Sequence, residues 1–93
     1  MTVQPSPADF ALALDQLQLG RRGRVSAIDW ARLALPEARR LRELGFDEGV
    51  PVEVLHRASL GGGPIACRIG RMTVALRRAV AGAIHVAPAL PAE

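Results

Sequence analysis

Three side chains in this sequence are soft enough to hold a transition metal: His56, Cys67 and His85. None stands in a His-x-x-His or Cys-x-x-Cys spacing, so no compact ligand set is written in the chain. Cys67 alternates with Ile65 and Ile69 and reads as a small core hydrophobe. His56 and His85 remain the candidate ligands. Each needs a carboxylate or a second copy to complete a transition-metal site, and no cofactor is required by anything else in the sequence. Covalent catalysis has no support. Ser6, Ser26 and Ser59 lie in no Gly-x-Ser-x-Gly elbow, and Asp29 and Glu53 make no convincing acid–base pair. The chain reads as non-enzymatic.

The glycine-rich run Leu60-Gly61-Gly62-Gly63-Pro64 is the second feature with chemistry in it. Glycines reach positive φ without a Cβ penalty, and proline presets the start of the strand that follows. The run is not a phosphate loop, because such a loop needs a Lys to reach the phosphates and this chain has none. It serves as a partner contact or as a shaped connection alone.

All 12 basic residues are Arg, and against 9 acidic ones they leave a net charge of +3. That is too mild for a nucleic-acid footprint, and no aromatic residues are interleaved for base stacking. Arg39, Arg40 and Arg42, with Arg77 and Arg78 further on, form either a solvated face or a docking surface for an acidic partner, whose carboxylates Arg grips with two parallel hydrogen bonds. With one Trp, two Phe and no Tyr, an aromatic groove for polyproline is improbable.

These residues must be positioned by short elements. Phe10 to Leu19 predicts a short strand and a turn. Arg24 to Trp30 predicts a strand whose broken alternation suggests a bulge. Leu35 to Phe46 is the clearest helix: Pro36 suits its first turn, Ala38, Leu41 and Leu44 make its apolar stripe, and Gly45-Phe46 fits a Schellman ending. Further strands are expected over Pro51–Ala58, Ile65–Gly70, Met72–Arg77 and Ala83–Ala87, with a helical turn over Arg78–Ala83. Strict alternation sets His56 on the Val52 face and turns His85 outward. Short connections make the strands antiparallel neighbours in a small barrel or orthogonal sandwich.

At 93 residues the chain is one domain. We divide it into a leader (1–9), a folded domain (10–88) and a tail (89–93). A lone Cys fits a reducing compartment. No signal peptide is visible, and no apolar run reaches the roughly 20 residues that a membrane span needs, so direct membrane insertion is not expected. An exposed edge strand offers a route to self-association, and the expected state is a monomer or weak homodimer.

In order, the chain reads Leu17-x-Leu19-Gly20-x-x-Gly23-x-Val25, then Arg40-Leu41-x-Glu43-Leu44-Gly45-Phe46-x-x-Gly49-x-x-Val52-Glu53-Val54, then Leu60-Gly61 to Pro64-Ile65, Gly70, Leu76-Arg77-Arg78 and Ile84-x-Val86. Across roughly residues 12–87 this closely resembles the FeoA family, ferrous iron transport protein A. The resemblance implies a mainly β fold, a small SH3-like barrel of about five antiparallel strands with one short α-helix inserted after the first strand. It also implies a cytoplasmic accessory protein, held at the inner membrane through its partner, the ferrous-iron permease with a cytoplasmic GTPase domain. The same fold occurs as the C-terminal domain of iron-dependent repressors, which makes a metal-responsive module the alternative. Many members carry an acidic residue near position 79, where this chain has Ala79-Val80-Ala81. The partner-binding residues we select are Arg39, Arg40, Arg42 and the run Leu60–Pro64.

Overall fold

The computed structural model describes residues 12–57 and 63–88. Leu60, Gly61 and Gly62 therefore lie outside the described residues. The elements run β1 (Leu12–Ala13), β2 (Arg22–Ile28), α1 (Leu35–Leu44), β3 (Pro51–Arg57), β4 (Ile65–Ile69), β5 (Met72–Leu76), α2 (Arg78–Ala81) and β6 (Ile84–Pro88), with single 3-10 turns at Leu14–Gln16 and Trp30–Arg32. The strands form one sheet in the order β1-β6-β2-β3-β4-β5, and every neighbouring pair is antiparallel.

Two details differ from the sequence expectation. The sheet has six strands, because two residues near the start, Leu12 and Ala13, pair with Val86 and His85. The helix therefore follows the second strand and not the first. A two-residue strand carries no periodicity of its own, so it exists only through its partner. The strand expected over Arg24–Trp30 lies two residues earlier, and Trp30 instead begins a 3-10 turn.

One apolar cluster gathers residues from nearly the whole sheet. Val25, Val52, Val54, Ile65, Cys67, Ile69, Leu76, Ile84 and Val86 all belong to it, together with Leu14, Leu17, Leu41, Phe46, Val80 and Ala81 from outside the strands. A flat sheet could not bring Val86 near one end and Leu76 at the other into one cluster; the sheet must curl. β1 and β5 do not pair with each other, so among the described residues the curl stays open.

Two bulges keep the inward phase. On β2 the register shifts between Val25 and Ala27, so Val25 faces Val86 and Ile28 faces Ile84. The extra residue, Ser26, donates its hydroxyl to the His85 carbonyl at 3.1 Å. On β3 the shift falls between Val54 and His56. Without it His56 would share the buried Val52 face. With it, His56 pairs with Ala66 on the outer face and is exposed, while Arg57 pairs with the fully buried Ile65. The expectation that His56 joins the Val52 face is thus corrected, and Leu55 is the residue that absorbs the change.

α1 is fixed at both ends. Ala34 has no side-chain acceptor to offer, but the Glu37 carboxylate reaches back to accept the Ala34 N–H at 3.2 Å. At the other end Gly45 takes φ 96°, the Gly45 N–H donates to the Arg42 carbonyl at 3.1 Å, and the Phe46 N–H donates to the Leu41 carbonyl at 3.0 Å. This is the Schellman pair expected from Gly45-Phe46. It turns the Phe46 ring, 2 % exposed, into the core beside Leu41.

Three outcomes follow for stability. Leu41→Ala lowers the unfolding free energy by about 2–5 kcal/mol in urea titration, the range for opening a cavity at a buried Leu. Gly45→Ala costs roughly 1–2 kcal/mol, the usual penalty for a Cβ in a left-handed backbone. That cost is conformational alone, since no heavy atom lies within 4 Å of a Cβ placed there. Cys67 gives the third. Burial pushes its thiol from the ordinary 9.0 up to about 11. Between those values the unfolded chain has released a proton that the native chain retains, so stability is full below 9 and falls as pH rises toward 11. The chain has no Lys and no Tyr, so no other side chain has its ordinary pKa in that window. The slope reaches about 1.4 kcal/mol per pH unit in denaturant titrations and disappears in Cys67→Ala.

Candidate functional site

The helix separates the arginines that the sequence groups together. Arg40 and Arg42 are two positions apart, which on an α-helix sets them on opposite flanks of the buried Ala38–Leu41 stripe. The Arg42 guanidinium lies 4.5 Å from the centre of the Trp30 ring, a cation–π contact that ties α1 to the 3-10 turn before it. Arg39 is exposed on the outer side of the helix. Arg40 turns toward the end of β5 and the start of α2.

There it meets Arg77 across a groove. Leu41, Leu76 and Val80 make its apolar floor, and Glu37, Arg40 and Arg77 stand at its edges, enclosing about 440 Å³. All three floor residues are at most 5 % exposed. Leu35, which sits between the lining residues Ala34 and Pro36, is 80 % exposed and extends the apolar surface onto the helix start. Glu37 is engaged by the Ala34 N–H. Among the described residues both ion pairs go to Glu53, from Arg22 at 3.9 Å and Arg68 at 3.5 Å, so Arg40 and Arg77 have no carboxylate within ion-pair reach. The groove offers an apolar trough between two cations.

Gly63 is half-buried and Pro64 is exposed, just before β4. Residues of this run that lie before Gly63 are outside the described residues, so the run and the arginines are not brought together by anything described. Next to it, Arg57 ends β3 on the core side, with its Nε and Nη2 buried and without a partner among the described residues. Simple alternation hides this, because it assigns Arg57 to the outer face.

The two histidines are far apart. His85 lies half-buried between Ala13 and Ala27, toward the end of β2. The β2–β3 register runs the other way, with Arg22 opposite Glu53, and His56 lies beyond that point on β3. They therefore sit toward opposite ends of the sheet. Among the described residues no three His, Cys, Asp or Glu side chains gather as a ligand set. Cys67 is sealed in the core with its thiol held protonated. The residues present do not fit a closed Fe2+ or Zn2+ site within one copy.

Residues 12–88 match the family model described as the FeoA domain. Among solved structures, the chain is similar to Stenotrophomonas maltophilia FeoA complexed with zinc, described as a prokaryotic SH3 domain protein. The two are 33% identical over 82% of this chain and 89% of that one, with a TM-score of 0.70. It is also similar to the FeoA protein of Chlorobium tepidum, at 30% identity over 88% of this chain and 74% of that one, with a TM-score of 0.75. A manganese-dependent transcriptional repressor superposes on 91% of the chain with a TM-score of 0.77 and 28% identity, but this chain spans only 44% of the repressor. No curated protein sequence matches the chain. The sheet order, the inserted helix and the match over residues 12–88 agree: the fold is SH3-like, and the chain belongs to the FeoA domain family.

Proposed function

We propose that this chain is a non-enzymatic accessory protein of ferrous-iron uptake that binds the cytoplasmic part of the membrane ferrous-iron permease, the partner carrying the GTPase domain, and supports or regulates it. The observation that carries this reading is the FeoA domain match over residues 12–88, combined with an open apolar groove flanked by Arg40 and Arg77. A groove of this kind suits a protein segment with an apolar anchor and acidic flanks. Fe2+ is the cargo of the pathway and needs no resident site in the chain. No helix among the described residues is long and apolar enough to cross a membrane. The permease would thus hold the chain at the cytoplasmic face of the inner membrane, as a monomer or weak homodimer.

One observation favours a second reading, a metal-responsive module: the S. maltophilia relative was solved with zinc. Given the separation of His56 and His85, that reading requires the ion to bridge two copies. Anaerobic calorimetry with Fe2+ decides it: saturable heat lost in His85→Ala supports a bridge, and no heat up to millimolar metal removes it.

For the first reading, purified chain on beads should capture the permease's soluble GTPase domain. Arg40→Glu should reduce capture at least tenfold, as reversing one charge beside an apolar anchor costs about 1.4 kcal/mol or more. Gly62→Trp tests the glycine run in the same assay: weakened capture keeps Leu60–Pro64 in the contact, and undiminished capture removes it. No capture by the unmodified chain overturns the function.

A further inference from the structure

β5 ends the sheet. Its five residues pair with β4 in unbroken register, from Ile65↔Leu76 to Ile69↔Met72, and among the described residues no strand pairs with its other side. Edge strands are ordinarily blunted by a charge, a proline, a bulge or shortness. β1, at the opposite end of the sheet, is blunted by being two residues long. β5 carries none of these devices: Met72-Thr73-Val74-Ala75-Leu76 has no charge, no proline and no bulge. Met72 is 44 % exposed, and Thr73 and Ala75 are exposed as well.

What guards this edge stands at its two ends. Arg71 precedes β5 and Arg77 follows it, and both are exposed. Two copies pairing antiparallel about Val74 would set Arg71 of each directly opposite Arg77 of the other. Like charges facing across a strand pair are destabilising, and here the repulsion occurs twice. The same two cations favour a strand with carboxylates at its ends. Among the described residues no carboxylate lies within ion-pair distance of Arg40, Arg71 or Arg77. The groove floored by Leu41, Leu76 and Val80 opens at the C-terminal end of β5, where a side chain of an added strand would reach it.

We infer that β5 accepts an extended segment of a partner protein as a seventh strand, apolar in its middle and acidic at both ends. Its backbone pairs with the free edge of β5, its carboxylates meet Arg71 and Arg77, and one apolar side chain enters the α1 groove. Main-chain pairing supplies affinity in this mode and the end charges supply selectivity. The inference deepens the proposed function and rests on the reading of this chain as a docking module.

The test uses the full chain and a labelled synthetic peptide of alternating Val and Thr with Glu at both ends, read by fluorescence anisotropy. Binding should be at least tenfold tighter than for the same peptide ended by Lys. N-methylation of alternate peptide amides should weaken it at least tenfold. Hydrogen exchange should slow within Met72–Leu76 on binding. Arg71→Glu with Arg77→Glu should invert the preference toward the Lys-ended peptide. Arg71→Glu alone replaces both repulsive pairs by attractive ones in an antiparallel pair of copies, and it should self-associate in sedimentation more strongly than the parent chain. Equal affinity for Glu- and Lys-ended peptides, indifference to N-methylation, or protection elsewhere than β5 overturns the inference. Capture of the permease domain by the doubly substituted chain at full strength also overturns it and leaves the proposed function standing. A chain that binds the acidic peptide but never captures the permease domain sinks that function instead.

Discussion

The buried apolar side chains of the sheet end in one cluster, and this requirement governs the rest of the structure. With Phe46 the only aromatic fully inside among the described residues, their core is built from Leu, Ile and Val. Short aliphatic chains cannot fill the space over a flat sheet of six strands, so the sheet curls over them without its edges pairing. α1 packs on this cluster through Leu41, and the left-handed Gly45 returns Phe46 to the same cluster. The groove at β5 is a consequence of this geometry. A helix of ten residues, anchored at its C-terminal end by Phe46 and on one flank by the Arg42–Trp30 contact, leaves its other flank standing off from β5.

Bulges are how a curling sheet keeps its inner face apolar. At Ser26 the sequence signals the irregularity, since a polar residue interrupts the apolar phase and Val25 and Ile28 are three apart. At Leu55 it does not. An apolar residue where alternation wants an outward one is compatible with an ordinary strand, so simple alternation sets His56 and Arg57 on the wrong faces. The consequence reaches the candidate site, because His56 leaves the core side and Arg57 takes a half-buried position against Ile65.

Most of the fold was legible because local and tertiary demands agree. Pro36, the Ala38–Leu41–Leu44 stripe and Gly45-Phe46 each state the same helix, and β4 and β5 alternate cleanly because they pair with each other in unbroken register and neither carries the extra residue of a bulge. The short strand expected within Phe10–Leu19 is present as β1, but its two-residue extent was not legible, because its pairing is decided by β6 and not by its own residues. The site was less legible still. Charge alone groups Arg39, Arg40 and Arg42 with Arg77 and Arg78, whereas helical geometry sends the three helix arginines in three directions and leaves Arg40 facing Arg77 across the groove. Likewise, the histidines are the only two in the chain, and type alone could pair them. The register of two intervening strand pairs is what sets them apart.

Arginine as the sole basic residue sharpens this surface. A guanidinium stays charged at any pH that the protein survives and presents fixed donors suited to carboxylates, whereas an ammonium is a mobile point charge. Arg42 shows the stacking use of the group against Trp30, and Arg22 and Arg68 show the pairing use on either side of Glu53, directly across β2, β3 and β4. On that outer face the acceptor is supplied from within, so the ladder is self-satisfied. At β5 the cations are present without the acceptor. A module whose fold also serves within a longer repressor can carry only those functions that its surface encodes. The asymmetry, among the described residues, between a satisfied ladder on the sheet face and an unsatisfied pair at its edge is what supports the proposal that a partner docks at the edge.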